Sequence, residues 1–260
     1  NERRKIPSLS ERRSEIIIPG GLILETSLRL LNIDELTISE RALREGLVVD
    51  WMLRKGMLKN KFSIQSNIRK TTVVHQADKF GVNKIRAEKV ANLALEIYDQ
   101  TKDILHDDKK NGRNLLWAAC FLCNSGKQIN LSAYHKHSWY LIKNCELLGY
   151  SIAEKNIIAS IARYHRKNMP KKRHESWQSI ISKEDKEIVL DMSLILRLAS
   201  SLDKRPDTSI SSLRISLVHK DITFKLIPKK KGDELLLEKW NLKSCEKLLK
   251  ELKGLHLNII

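Results

Sequence analysis

Three of the eight histidines lie in two short stretches of the sequence. The first, LSAYHKHSWYLIKN from Leu131, carries His135 and His137, and the second, ARYHRKN, carries His165. Imidazole groups bind metal ions, donate hydrogen bonds to anions, or lie inside a core with their hydrogen bonds satisfied. These three roles imply different chemistries, and the residues around the histidines indicate which role applies.

The spacing of the histidines limits a metal site. On a helix, His135 and His137 would point about 200° apart, so joint ligation requires an extended segment before the helix. Cys120 and Cys123 form a CxxC pair, but no second CxxC or histidine pair at zinc-finger spacing follows. Their surroundings, LLWAACFLCNSG, are apolar, so we interpret both cysteines as buried small residues. His165 continues the apolar stripe of its own helix, which leaves a core histidine as an open alternative.

Basic side chains favour an anion as the ligand. The chain of 260 residues has a formal net charge of +17, which implies a polyanionic partner: a nucleic acid, an anionic membrane surface or a phosphate polymer. A basic cluster is often only a solvated surface, so these residues matter only if they converge on one groove. The clusters comprise Arg163, Arg166, Lys167, Lys171, Lys172, Arg173 and the run from Lys229 to Lys231.

Residues 1–58 have the pattern of an α/β segment. From Glu15 the sequence EIIIPGGLILETSLRLL predicts a strand, a turn at Gly20 and Gly21, and a helix. A short strand, ELTISE, and a helix, RALREGLVVDWMLRKG, are predicted next. We interpret this region as the last β-α-β-α piece of an α/β domain whose other strands are absent.

Two further regions follow. Residues 59–205 are predicted to be helical almost throughout, with apolar faces along Val90 to Ile104, Ile157 to His165 and Ile188 to Leu202. In residues 206–260 apolar and polar residues begin to alternate, which is typical of strands. SLRISLVHKDITFKLIP predicts a hairpin, and GLHLNII predicts a strand after a short helix. The sequence therefore predicts a helical domain and a small α+β unit.

Composition also bears on the compartment. Charges interrupt every apolar block, so the sequence has no membrane-spanning run and no signal-peptide core. Four cysteines without a disulfide framework indicate a reducing environment. We predict a soluble cytoplasmic protein with no membrane partner. Because the chain opens with Asn1, we also expect it to be a piece of a longer protein.

Two long motifs resemble one protein family. The end of the second actin-like domain in the Ppx/GppA exopolyphosphatase family is similar to ERRSEIIIPGGLILETSLRLLNIDELTISERALREGLVVD. The family's helical C-terminal domain is similar to AYHKHSWYLIKN and LLGYSIAEKNIIASIARYHRK. The resemblance implies a mainly α fold: an actin-like α/β remnant over 1–58, an HD-like helical domain over 59–205 and a small α+β domain over 206–260.

The relation of that helical domain to HD phosphohydrolases implies a lost metal centre. HD enzymes bind metal through an early His, a His-Asp dyad and a late Asp. At the matching positions this chain has Arg86, then Cys123 and Asn124, then Ser200 or Asp203. An arginine among the ligands repels metal ions, so we expect no metal in this chain.

The donors that remain suit phosphate. Gly20 and Gly21 resemble the glycine motif that lines the family's actin-like phosphate crevice, although a turn selected for close packing explains them equally well. The predicted polyphosphate-binding residues are His135, His137, Arg163, His165, Arg166, Lys167, Lys171, Lys172 and Arg173.

The resemblance also implies a function. Family members release terminal phosphate from inorganic polyphosphate or convert pppGpp to ppGpp, using Mg²⁺ in actin-like domains that we place upstream of Asn1. We therefore expect no catalytic residue and no cofactor in this chain, which would be inactive alone, bind the polyanion and support a homodimer. The alternatives are a nucleic-acid-binding helical module, disfavoured because aromatic residues make up only 5% of the chain, and an active HD phosphohydrolase.

Overall fold

The structure, a computed structural model, describes residue 6 and residues 9–36, 43–54, 61–107, 111–205 and 209–260, and it divides into two units, Asn1–Met57 and Leu58–Ile260. The fold is mainly α, as predicted. The first unit contains helices α1, Glu11–Leu30, and α2, Leu43–Arg54. The second contains α3 Lys61–Lys79, α4 Lys84–Gln100, α5 Gly112–Leu122, α6 Tyr134–Asn144, α7 Ile152–Tyr164, α8 Glu175–Gln178, α9 Lys183–Leu202, β1 Ile210–Val218, β2 Asp221–Pro228, α10 Leu236–Lys243, α11 Glu246–Lys253 and β3 His256–Ile259.

The prediction of a strand and a glycine turn near the start of the chain is wrong. Residues 11–30 form one helix, which starts at the N-cap Ser10 and contains Pro19, Gly20 and Gly21 in its interior. Within the described residues no strand precedes Ile210, so a strand here would have no partner for its backbone groups, whereas a helix satisfies them locally. The predicted strand ELTISE falls mostly on 37–40, outside the described residues, and the helix that follows is confirmed as α2.

The core of the second unit is built around α5. This helix is apolar on nearly all sides, and it packs against α3, α4, α7 and α9. Its small residues Ala118 and Ala119 are fully buried and let neighbouring helices approach closely. The apolar stripe predicted for α9, from Ile188 to Leu202, is buried and faces this core.

The predicted apolar face from Val90 to Ile104 is too long. Helix α4 ends at Gln100, and Thr101 closes it by donating its hydroxyl hydrogen to the Ile97 carbonyl over 2.7 Å. Asp103 then adopts a left-handed conformation with φ of 61°, which carries the chain out of the helix. Ile104 therefore packs against the core from a turn.

The C-terminal sheet confirms the predicted hairpin and final strand. Strands β1 and β2 are antiparallel, β2 and β3 are parallel, and the order is β1-β2-β3. Helix α4 binds the outer edge of β1: the Leu213 N–H donates to Glu96 over 3.0 Å, and the Ile215 N–H donates to Gln100 over 2.8 Å. The sheet is thus fixed to the helical core. Helix α10 was not predicted.

No helix among the described residues is both long enough and apolar enough to cross a lipid bilayer.

Candidate anion-binding site

The start of α6 is positioned by a close approach to the turn at residues 125–128. The Gly126 N–H donates to Ser138 Oγ over 2.9 Å, and Ser138 Oγ donates to the Cys123 carbonyl over 2.7 Å. A Cβ at Gly126 would collide with the backbone of Tyr134 and Ser138, so only glycine fits there. This packing fixes the first turn of α6, which carries His135.

The end of α7 is held by an arginine of α9. Arg197 donates to three main-chain carbonyls, those of Tyr164 at 2.8 Å, His165 at 3.2 Å and Lys167 at 2.7 Å. These bonds satisfy carbonyls that a helix end leaves without partners. They also fix Lys167 in a left-handed conformation with φ of 63°. Arg197 thereby sets the direction of the basic segment that follows α7.

A cavity of about 550 Å³ lies between the start of α6 and the segment after α7. Five predicted site residues line it together: His135, Arg163, Lys167, Lys171 and Arg173. The other lining residues are Ser132, Ala133, Lys136, Tyr164, Asn168 and His174.

Four of the predicted residues do not line this cavity. His137 diverges from His135 because both lie on α6, and its Cβ faces Gly126. Lys172 is exposed outside the cavity. His165 is buried, and Arg166 packs on the Tyr134 ring. The extended segment that joint metal ligation by both histidines would require is not formed, because both lie on α6.

The cavity has an excess of positive charge. Its five cationic side chains, Lys136, Arg163, Lys167, Lys171 and Arg173, form no ion pair with any carboxylate in the part of the chain that the structure describes. Arg163 is held at the wall by aromatic rings, with its Cζ 5.6 Å from the centre of Trp139 and 5.8 Å from that of Tyr164. Cations that cluster without counter-charges repel one another, so the cavity favours an anionic ligand.

His135 contributes a neutral donor or acceptor rather than charge. Burial, followed by repulsion from Arg166 and Arg163, lowers the pKa of His135 to about 4. Its ring is nearly inaccessible, and Nδ1 has no hydrogen-bond partner among the described residues. The neutral ring therefore adds no charge to the cavity wall.

His165 orients Tyr134. Its Nδ1 lies 2.6 Å from the Ala162 carbonyl and therefore donates, so Nε2 accepts from the Tyr134 hydroxyl at 3.2 Å. Burial lowers the pKa of His165 to about 3, which keeps the ring neutral. The Tyr134 ring in turn contacts two cations, with Arg166 Cζ at 4.7 Å and Lys127 Nζ at 5.0 Å from its centre.

The positions matched to HD metal ligands hold an ion pair and thiols. Arg86 Nε donates to Asp203 Oδ2 over 2.6 Å. Burial raises the pKa of Cys123 to about 12 and that of Cys120 well above its usual range, so both remain thiols. No cluster of three His, Cys, Asp or Glu side chains among the described residues has the arrangement of a metal site.

Comparison with known proteins agrees with this architecture. The model of Ppx/GppA phosphatase, domain III, matches residues 68–255, which include the whole cavity and the Arg86–Asp203 pair. The chain belongs to the Ppx/GppA phosphatase family. A second model, of the Ppx/GppA phosphatase family, matches residues 1–55. Domain III is the HD-like helical domain of this family, so the predicted family and the mainly α fold are confirmed.

Curated relatives carry a common name. Proteins called guanosine-5'-triphosphate,3'-diphosphate pyrophosphatase from Pseudoalteromonas translucida and Pseudoalteromonas atlantica are 32% and 31% identical to the chain, over 64% and 77% of it. One from Vibrio vulnificus is 30% identical over 65% of the chain. The matches cover 32%, 37% and 32% of those relatives, so the chain spans about a third of their length. Membership places the chain in a hydrolase family.

Gly20 and Gly21 do not form a helix-start phosphate site. Both lie in the interior of α1, where helix N–H groups bond to carbonyls one turn earlier. Apart from the adjoining residues of α1 itself, no described atom lies within 4 Å of a Cβ built at either position. Their place in an actin-like crevice stays a prediction.

Proposed function

We propose that this chain is the phosphate-chain-binding C-terminal portion of a phosphohydrolase that removes the terminal phosphate of pppGpp or inorganic polyphosphate. One observation carries the proposal: five cations that have no carboxylate partner among the described residues converge on one cavity of about 550 Å³. The names of the three relatives, which specify a guanosine 5'-triphosphate 3'-diphosphate, support a phosphoanhydride substrate.

The cavity has the donors that a phosphate chain requires. Arg163 and Arg173 offer planar guanidinium forks that can bond two oxygens of one phosphate. Lys136, Lys167 and Lys171 add mobile point charges along the same wall, and His135 adds a neutral group. Because none of these groups reads a base, the cavity suits a chain of repeating phosphates.

A nucleic-acid-binding module is the competing function, and the cavity disfavours it. Single strands are held largely by bases stacked on aromatic rings. Tyr164 lines the cavity, but its side chain is buried and its hydroxyl bonds to Ser176 at 2.6 Å and His174 at 3.1 Å. This ring supports the wall and offers no face to a base.

The remaining expectations belong to the whole protein. We propose that catalysis and Mg²⁺ reside in actin-like domains, that this chain alone does not hydrolyse polyphosphate, and that the protein works as a cytoplasmic homodimer. The family match over residues 1–55 and the greater length of the relatives support further domains. Phosphate release by the purified chain with Mg²⁺, compared with a heat-treated sample, tests the proposed inactivity.

Binding to polyphosphate tests the cavity. We would titrate long-chain polyphosphate, pppGpp and single-stranded DNA of matched charge into the chain at several salt concentrations. Affinity for polyphosphate should exceed that for DNA and fall steeply with salt, because each neutralised phosphate releases condensed counterion. Replacing Lys171→Gln together with Arg173→Gln should flatten the salt slope by about one to two units, by analogy with nucleic-acid backbones.

The matched control removes two charges elsewhere. Lys229→Gln with Lys230→Gln lowers the net charge by the same amount, and neither residue lines the cavity. Equal flattening by both pairs would show that net charge alone drives binding. Tighter DNA binding than polyphosphate binding would instead support the nucleic-acid module.

A further inference from the structure

A second group of cations lies outside the cavity and has no role in the proposed function. It surrounds the Tyr134 ring and the Asp203 carboxylate at the positions where HD enzymes hold metal. We call it the Tyr134 cluster. Its cations are Arg86, Lys127, Arg166 and Lys204.

Contacts bring these side chains together from four separate segments. Arg166 and Lys127 both pack on Tyr134, at 4.7 Å and 5.0 Å from the ring centre. Arg86 donates to the side chain of Asp203 over 2.6 Å and to its carbonyl over 2.8 Å. Lys204 follows Asp203 directly, and the charges of Arg86, Arg166 and Asp203 act on the ammonium groups of both Lys127 and Lys204.

The positive charge of the cluster is largely unbalanced. Only Arg86 among the four forms an ion pair within the described residues, and its partner is Asp203. Partial desolvation and repulsion from neighbouring arginines lower the pKa values of Lys127 and Lys204. Both lysines are nevertheless exposed, so a ligand from solution can reach them. A bound anion would relieve this repulsion.

The cluster and the cavity are adjacent but distinct. Tyr134 and His135 are consecutive, yet only His135 lines the cavity, and the two rings meet edge to face with centres 6.3 Å apart. Arg166 and Lys167 are also consecutive, and only Lys167 lines the cavity. Consecutive side chains point in different directions in both segments, so each segment contributes one residue to the cavity and one to the cluster.

The Tyr134 hydroxyl adds a directed group. It donates its hydrogen to His165 Nε2, whose other ring nitrogen is already committed to the Ala162 carbonyl. The oriented Tyr134 ring packs against the Arg166 guanidinium, whose Cζ lies 4.7 Å from the ring centre. This contact holds the guanidinium beside the other cations of the cluster.

We propose that the Tyr134 cluster is a separate binding site for a compact phosphate dianion, either free orthophosphate or the terminal phosphate of a chain. The guanidinium of Arg166 and the ammonium groups of Lys127 and Lys204 bind the oxygens, while Arg86 neutralises Asp203 and so keeps its carboxylate from repelling the ligand. The cationic side chains thus contact the phosphate directly, whereas in a metal site a bound metal ion would lie between the protein and the phosphate.

Calorimetric titration of orthophosphate and tripolyphosphate into the 260-residue chain tests this site. The cluster variant is Lys127→Gln with Lys204→Gln; the comparison variants are the cavity pair Lys171→Gln with Arg173→Gln and the remote pair Lys229→Gln with Lys230→Gln. All three remove two charges from exposed positions. Orthophosphate affinity should fall about tenfold or more in the cluster variant, the size expected for loss of charge-assisted hydrogen bonds, and change by less than about twofold in the remote variant. The cavity variant, which loses phosphate-binding groups of its own, should lose less affinity than the cluster variant.

Each outcome decides between the sites. Equal losses in all three variants, or a loss confined to the cavity pair, would overturn the proposal. If the cluster variant loses affinity for tripolyphosphate but not for orthophosphate, the site stands and its ligand is the terminal phosphate of a chain. If long-chain polyphosphate fails to bind in the cavity while the cluster variant still loses orthophosphate, the proposed function fails and the second site stands. Matching thermal unfolding midpoints would establish that the variants are folded.

Discussion

The Arg86 guanidinium binds both the side chain and the main chain of Asp203. Its Nε donates to Oδ2 over 2.6 Å, and Nη2 donates to the Asp203 carbonyl over 2.8 Å. One side chain of α4 therefore closes the C-terminal end of α9. Asp203 is one of the two residues that the HD resemblance matches to the late metal-binding aspartate, and in this chain its carboxylate is paired with an arginine.

Replacing Arg86 should destabilise the second unit. In Arg86→Gln the largely buried Asp203 side chain loses its ion pair, and we expect a loss of about 1–3 kcal/mol in the free energy of unfolding, since Arg86 is partly exposed. Urea unfolding measures this change. Arg113→Gln is the control, because its pair with Asp99 is half exposed on both sides and should cost about 0–1 kcal/mol. Equal losses of stability in Arg86→Gln and Arg113→Gln would contradict a stabilising role for the Arg86–Asp203 pair.

Arg197 should matter for both stability and binding. Arg197→Met leaves three carbonyls after α7 without their donor, and we expect a loss of about 2–4 kcal/mol in the free energy of unfolding together with weaker polyphosphate binding. Arg197→Lys should recover only part of the binding, because lysine cannot form the same fork. Arg214→Met, at an exposed position of β1, should change stability by less than about 0.5 kcal/mol. Unchanged binding in Arg197→Met would rule out a positioning role.

Acid should destabilise the chain through two buried histidines. The pKa values of His135 and His165 are lowered to about 4 and about 3, so between those values and the ordinary value of 6.5 the unfolded state binds more protons. The free energy of unfolding therefore falls as the pH drops from about 6.5 toward 4, by up to about 1.4 kcal/mol per pH unit for each histidine.

Urea unfolding of wild type, His165→Gln and His219→Gln at several pH values checks this dependence. The buried substitution should reduce the slope of stability against pH, while the variant at the exposed hairpin residue His219 should keep the wild-type slope. Since His135 and His165 remain neutral between pH 8 and 6, neither should tighten polyphosphate binding in that range. Parallel slopes in all three proteins would refute the buried-histidine explanation.

Gly126 should tolerate no side chain. A Cβ there would overlap the Tyr134 carbonyl and the Ser138 amide, so Gly126→Ala should push α6 away from the turn at 125–128 and cost about 2–4 kcal/mol in unfolding free energy. Gly112→Ala is the control, since a Cβ there would make ordinary contacts with Tyr98 and Met192. Thermal and urea unfolding compare the two. A mild effect at Gly126 would mean that α6 can move away without loss of packing.

Local patterns in the sequence were sufficient for much of the fold. The apolar stripe of α9 and the alternation of the hairpin could be predicted because their burial follows the period of a single element. The start of the chain could not, because the run Glu15 to Ile18 followed by glycines has strand and turn propensities that require partner strands to be realised. Without such partner strands, this segment forms a helix, whose backbone hydrogen bonds are all local.

The site was predictable only in part, for a geometric reason. Arg163, Lys167 and Arg173 lie in one stretch of sequence, and the cavity brings them together with His135. Arg197 occupies an ordinary polar position of α9, and no sequence signal distinguishes it. Its importance comes from packing against the end of α7, a contact between residues far apart in the chain.

Both long edges of the C-terminal sheet have backbone groups bonded to other parts of the chain, and this affects how the protein can aggregate. The outward N–H groups of Leu213 and Ile215 on β1 are bonded to α4, and the outward Leu257 carbonyl on β3 accepts from Lys243 Nζ over 3.3 Å. An incoming strand from another molecule would find these backbone groups taken, and a lysine beside β3 opposes its approach. These contacts therefore oppose the addition of a strand from another molecule to either edge of the small sheet.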